Sequence, residues 1–355
     1  MEKRIEKVSH LSSHYLVRAK ANSHPYYQEF LAASAVLKSA MTPAEYDYWC
    51  TEKMLLKNQA FLEKTFIQYA AETAVVRYCI DRFLSNVKLE VKVNPVSGKD
   101  VDVQFKDGGF TYNLEVKCAE FGAKENIENQ DAWKYSTVGR IDDRHEPKNA
   151  MANAIDEGMT LRGEPLKPHL ESKNMDNNMK DYLTNAHQKF ADTTPEDTAN
   201  VLIVGCGDAM DMQQWYYYLF APQGLFTTHP FHPPANYSNV DAVLLTNQYF
   251  KHHKFFEKNI ENSWTLAGGF NLLFPNPNRK AKKEKALKHL LSVLPNWNEE
   301  LSRYRVPAAF DVPPEVTQSV LIHTFVKAEL EKGQGLYLFE KKPQPPTSSP
   351  TENKA

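Results

Sequence analysis

The segment Tyr112-Asn113-Leu114-Glu115-Val116-Lys117-Cys118 places an acid and a base two residues apart in a stretch that alternates polar and apolar side chains. In an extended strand, alternate side chains share a face. Leu114, Val116 and Cys118 therefore point one way, and Asn113, Glu115 and Lys117 the other. Val101-Asp102-Val103-Gln104-Phe105 alternates in the same manner, with Asp100, Asp102 and Gln104 opposite an apolar face of Val101, Val103 and Phe105. Carboxylates gathered on one sheet face repel each other, and a divalent cation relieves that repulsion. All-oxygen ligands suit Mg²⁺, with Mn²⁺ as its substitute, rather than zinc. A lysine on the same face can hold an attacking water and offset charge on nonbridging phosphoryl oxygens, the combination that phosphodiester hydrolysis needs.

Hairpin register decides whether the two polar faces coincide. Lys106-Asp107-Gly108-Gly109 supplies the residues of a hairpin loop. Pairing Lys106 with Gly109 sets Asp102 opposite Asn113 and Asp100 opposite Glu115. Asp102 and Glu115 are then diagonal neighbours with Cα atoms about 7–8 Å apart, close enough for their side chains to converge on one ion. A one-residue slip would bury the carboxylates among apolar side chains, at several kcal/mol per ion, so only registers that keep the polar faces together are reasonable. Asp100 competes with Asp102 for the metal role, and Asp102 is favoured.

These residues need a scaffold. From about Lys53 to Leu84 there is no Gly or Pro, and Leu55, Leu62, Phe66, Tyr69, Val76, Cys79, Ile80 and Phe83 recur at three- and four-residue spacings, which predicts a long helix. The preceding residues also read as helical, with Thr42-Pro43-Ala44-Glu45 as a helix start. Val87 to Val93 alternates as a strand and Asn94 to Gly98 forms a turn, giving a three-stranded meander after the helix. Residues 119–199 are polar, Asn-rich and acidic, and read as a largely helical insertion. Asn200 to Cys206 reads as a buried strand, Met212 to Phe220 as a helix and Val240 to Leu245 as a further strand, a pattern that predicts a parallel, right-handed crossover. The fold class is α/β, a mixed sheet flanked by helices. The organisation expected is a helical N-terminal extension over 1–52, a core over 53–250 containing the insertion, a mostly helical basic region over 251–340 with a late strand near Gly335 to Phe339, and a tail over 341–355 of disordered composition.

A helix glutamate, a strand Asp, a hairpin and then Glu-x-Lys resemble the PD-(D/E)XK nuclease superfamily, the restriction-endonuclease-like fold. The matching pieces are Glu72 in Ala71-Glu72-Thr73-Ala74, Asp102 in Gly98-Lys99-Asp100-Val101-Asp102-Val103, and Leu114-Glu115-Val116-Lys117. The resemblance covers roughly residues 60–120 and the two later strands. It implies catalytic roles for Glu72, Asp102, Glu115 and Lys117. Asp102, Glu115 and the Val116 carbonyl would bind Mg²⁺, Lys117 would serve the water, and Glu72 would support the metal site. A Mg²⁺-dependent deoxyribonuclease of restriction, repair or anti-phage defence is the activity implied, with RNA as an undistinguished substrate. The alternative is an inactive nuclease-fold subunit that binds nucleic acid or a protein partner. The sequence departs from the family pattern in having no Pro directly before the Asp. Gln130-x-x-x-x-Tyr135 is similar to a motif of RecB-like nucleases, but its spacing is one residue too long.

Other features are blander. The formal net charge of −2 over 355 residues supplies no whole-molecule field for nucleic acid, so a local patch would have to suffice. Asn278-Arg279-Lys280-Ala281-Lys282-Lys283 is the candidate patch, with Arg279, Lys280, Lys282 and Lys283 facing a phosphate backbone or simply opening a solvated helix. His229-Pro230-Phe231-His232 lacks the helical spacing of a zinc site, and His252 and His253 have no shared ligand role. Gly205-Cys206-Gly207-Asp208 lacks the further glycine and lysine of nucleotide loops. Cys50, Cys79, Cys118 and Cys206 are scattered among apolar positions and read as buried free thiols. The N-terminus has no apolar signal core and no run is long enough to span a membrane, so a cytoplasmic protein without a membrane partner is expected, as a homo-oligomer or with a protein partner not excluded.

Overall fold

In a computed structural model, the structure describes residues 1–57, 60–118, 130–135, 145–171, 176–192, 194–207, 209–220, 223–256, 260–305, 321 and 324–326. Four helices open the chain: α1 (Glu2–Lys7), α2 (Tyr15–Ala21), α3 (Pro25–Ala40) and α4 (Pro43–Tyr48). Thr42 caps α4 in a reciprocal box with Glu45, as its sequence predicts. The long helix α5 (Glu63–Phe83) begins ten residues later than the periodicity suggests. Trp49–Lys53 form instead a π-helical turn, pinned to α5 by a 3.0 Å hydrogen bond from Trp49 Nε1 to Thr73 Oγ1. Leu55 then adopts φ +54°. Burial of Met54, Leu55 and Leu56 overrides their helical spacing and breaks the chain there.

The core is one six-stranded sheet, built from β1 (Val87–Val91), β2 (Val101–Asp107), β3 (Phe110–Cys118), β6 (Thr198–Gly205), β7 (Ala242–Thr246) and β8 (Asn271–Pro275) in that spatial order. A separate two-stranded sheet pairs β4 (Trp133–Tyr135) with β5 (His169–Glu171), and Tyr135 of the Gln/Tyr pair ends β4. The β1–β2–β3 meander is antiparallel, whereas β3, β6 and β7 run parallel, so β3 joins the two halves. The parallel pairing of β6 with β7 is the one expected of a strand–helix–strand unit, here through α8 (Ala209–Phe220). β8, within the region read as mostly helical, pairs antiparallel with β7 and closes the far edge. The late strand expected near Gly335 to Phe339 and the tail over 341–355 lie outside the described residues.

Helices cover both faces. Phe83 of α5 stacks on Phe105 with centroids 4.1 Å apart, which sets α5 on the Val101, Val103 and Phe105 face. α10 (Glu284–Val293) joins it there, because Tyr112, on the same face, donates to Ala286 O at 3.0 Å. α9 (Gln248–His253) also packs on α5. Two helices of the opposite side are α8 and α7 (Asp176–Lys189), with Trp215 of the former stacked on Tyr182 of the latter. α6 (His145–Leu161) precedes β5, and α11 (Asn298–Arg303) follows α10. No helix among the described residues is long and apolar enough to cross a membrane.

Candidate active site

The β2–β3 register differs from the expected one by two residues. Asp107 pairs with Phe110, leaving Gly108 and Gly109 as the loop, with φ +56° and +84°. A two-residue hairpin of this type needs positive φ at both central positions, which two glycines adopt without strain and Asp107 does not. The pairing runs from there to Val103↔Leu114. One step further along this register stands Asp102 across from Glu115, so the two carboxylates are directly opposed rather than diagonal, and Asp100 is displaced from Glu115. Along the β1–β2 register, Glu90 falls between Leu89↔Val103 and Val91↔Val101, opposite Asp102. Glu90, Asp102 and Glu115 thus form a transverse row across three strands.

The β2–β3 ladder stops at Val103↔Leu114 although β1 still pairs with Val101. β2 therefore parts from β3 at the position of the acids. The Val116 amide, left without a β2 carbonyl, donates to Asp102 Oδ2 at 2.6 Å. This fixes one oxygen of the carboxylate and holds it at the opening. Burial, followed by the charges of Glu72 and Glu115, pushes the Asp102 carboxyl well above the usual carboxylate range, against the Val116 hydrogen bond and the charge of Lys189.

Glu115 is fully buried. Its Oε1 lies 2.6 Å from the ammonium nitrogens of both Lys117 and Lys189, and Lys189 Nζ also reaches Oε2 at 2.8 Å. Burial works to lower the pKa of Lys117, but the Glu115 charge and hydrogen bond, with Asp102 and Glu72 behind them, outweigh it and raise it. Lys117 is thus held as a cation, able to donate to water and unsuited to take a proton from it. Glu72, nine-tenths buried on α5, is bound by Lys53 at 2.7 Å, and Lys53 also binds Glu90 at 2.8 Å. The π turn aims Lys53 there. The fold thus brings Glu72, Asp102, Glu115 and Lys117 within electrostatic reach of one another.

Two of its lysines escape sequence reasoning. Lys53 belongs to the segment read as a regular helix, and Lys189 ends a helix of the insertion. Asn94, in the β1–β2 turn, fastens that helix end by donating to Gln188 O at 3.0 Å and Phe190 O at 3.1 Å. Tyr182 donates to Cys118 O at 2.8 Å. A basic residue in the last helical turn was the single available signal, and it is a common one.

Among the described residues, no three His, Cys, Asp or Glu side chains converge as a metal-holding group. The oxygen donors that could hold a cation at this opening are Asp102, Glu115 and the main-chain carbonyl of Val116. That hard oxygen set suits Mg²⁺ or Mn²⁺. It would require Glu115 to exchange a lysine for the cation.

Only part of the basic run is open to solvent. Lys283 is buried, with its ammonium 2.8 Å from Asp241 Oδ2 and hydrogen-bonded to Thr194. Arg279 donates to the carbonyls of Lys282 at 2.7 Å and Asn276 at 2.8 Å, and Lys280 pairs with Asp192 at 3.1 Å. Lys280 and Lys282 are exposed. His252 is buried and bonded through Nδ1 to Tyr26, a core role. The four cysteines are buried free thiols. Compared with protein-family models, curated proteins and solved structures, the chain matches none, and the assignment of the site rests on its own residues.

Proposed function

We propose that this chain is a metal-dependent nuclease of restriction-endonuclease-like fold that hydrolyses DNA phosphodiester bonds. The observation that carries the reading is the opposition of Asp102 and Glu115 where β2 parts from β3, with Lys117 on Glu115 and Glu72 in electrostatic reach. Mg²⁺ held by Asp102, Glu115 and the Val116 carbonyl would polarise the phosphate and acidify a bound water. The Val116 amide orients Asp102 by one oxygen and leaves the other for a ligand. Lys117, kept protonated by Glu115, holds the attacking water by donation and offsets negative charge on the phosphoryl oxygens. The water oxygen would bond to phosphorus as the bond from phosphorus to the leaving sugar oxygen breaks, the water releasing one proton to solvent and the leaving oxygen taking one from solvent. Glu72, with Lys53, supports the Asp102 side of the opening.

The test is cleavage of plasmid and linear DNA with Mg²⁺, Mn²⁺ or EDTA by the wild-type chain and by Lys117→Ala. Metal-dependent cutting by the wild type, reduced at least about 100-fold in the variant, is expected. Equal cutting by both would place the activity elsewhere. A second reading is favoured by the two lysines that already neutralise Glu115: a nuclease-fold subunit that binds nucleic acid or a protein without cutting. Folded protein that binds DNA yet cuts it under no metal condition would select that reading.

A further inference from the structure

We infer that Lys189 is an internal surrogate for the cation, which holds Glu115 until a divalent ion displaces it; the inference rests on the metal-dependent reading above. Lys189 Nζ lies 2.6 Å from one oxygen of Glu115 and 2.8 Å from the other. Lys117 reaches Oε1 at 2.6 Å. A cation that ligates Glu115 through either oxygen therefore meets Lys189. The ammonium of Lys189 also acts electrostatically on Asp102. Its charge thus acts on both carboxylates, as that of a shared ion would.

A divalent ion placed beside both ammoniums would face like-charge repulsion at a fully buried carboxylate. Lys117 is carried by β3, paired through this region with β6, two residues from Glu115 on the same strand face. Lys189 arrives from the C-terminal end of α7, the last helix described in the insertion, and contacts both Glu115 oxygens where Lys117 reaches one. Loading the site therefore means swinging Lys189 out of it, and the inserted helix senses whether the cation is present.

The experiment is titration of Mn²⁺ into the full-length chain, read by calorimetry and by the paramagnetic resonance signal of free Mn²⁺. The proteins compared are wild type, Lys189→Met, Lys189→Arg, Glu115→Gln and the double variant Lys189→Met with Glu115→Gln. Lys189→Met removes the competitor and is expected to bind Mn²⁺ at least about tenfold more tightly, with that gain abolished when Glu115→Gln is added. Lys189→Arg offers a planar fork matched to both carboxylate oxygens, and is expected to bind severalfold more weakly than wild type. This second variant decides the matter if Lys189→Met does not fold. Glu115-dependent binding that is unchanged or weaker in Lys189→Met, or stronger in Lys189→Arg, would overturn the role of Lys189 and leave the nuclease reading standing. Absence of any Glu115-dependent binding across all folded proteins would overturn both.

Discussion

The Asp102 carboxylate accepts a 2.6 Å hydrogen bond from the Val116 amide across the point where β2 and β3 separate. A strand amide that has lost its ladder partner is satisfied by the side chain of the neighbouring strand, and the site is anchored by the same bond that ends the pairing. Asp102 is thereby held near Glu115 and Glu72 despite their mutual repulsion.

That repulsion predicts a pH signature. The folded-state pKa of Asp102 is raised, so its favourable contribution is complete below the unfolded value and is lost as pH rises through the folded one. Asp102→Asn keeps an acceptor for the Val116 amide and removes the charge. In metal-free protein at neutral pH the variant should melt at least about 2 °C higher than wild type, a shift that roughly 1 kcal/mol produces in a chain of this size. The gain should shrink as pH falls toward the ordinary Asp range, while cleavage is lost at every pH. A Tm difference that does not change with pH would remove the charge explanation.

Lys53 bridges two acids of unequal burial, since the Glu72 side chain is 12% exposed and that of Glu90 55%. Lys53→Met leaves Glu72 buried without its partner and should cost about 3 kcal/mol in urea unfolding. Glu90→Gln should cost less than about 1 kcal/mol, as expected of a solvent-screened pair. Equal costs would show that Lys53 serves mainly as packing.

Lys283 and Lys282 are sequence neighbours with opposite fates. Lys283→Met strands Asp241 in the core and should destabilise the fold by about 3–5 kcal/mol. Lys282→Ala should leave stability within about 0.5 kcal/mol. If DNA crosses this region, Lys282→Ala should lower affinity by a factor that shrinks as salt is added, measured by fluorescence anisotropy.

Acid should weaken the helical face packed on α5. Burial, with the charge of Lys251 added, pushes His252 down to about 3, and burial pushes His14 down to about 4. Both are neutral when folded and bind a proton more readily when unfolded. Their contribution is complete above the unfolded pKa near 6.5 and declines as pH falls from there toward 4, by up to about 1.4 kcal/mol per pH unit for each group. Urea midpoints between pH 7 and pH 4.5 should fall less steeply for His252→Gln than for wild type. Parallel slopes would assign the acid sensitivity to other groups.

Much of the site was legible because a strand repeats every two residues. Alternation reads Asp102 onto the polar face of one strand and Glu115 with Lys117 onto that of the next, while Glu72 is picked out by the resemblance to the nuclease superfamily. The register was not so legible, since Asp107-Gly108-Gly109 offers more than one loop and the choice turns on backbone φ. Lys53 and Lys189 carry no local pattern that points at Glu72 or Glu115, and their roles arise from tertiary placement. β8 was missed because Asn271-Leu272-Leu273-Phe274-Pro275 is a short apolar run, in which strand and buried helix look alike. Lys283 reads as surface in a basic run, and it is buried by Asp241, a partner 42 residues away in the chain.

The position of β3 between an antiparallel and a parallel neighbour has a consequence for assembly. Its pairing with β2 closes a two-residue loop, whereas its pairing with β6 must enclose residues 119–197. Short-range hairpins form quickly, and long-range parallel pairing is delayed by loop-closure entropy. On that order, Asp102 and Glu115 would sit first on a hairpin open to water, where their charges are hydrated. Docking of α7 would then remove that water and deliver Lys189 in the same event, joining desolvation of Glu115 to its neutralisation.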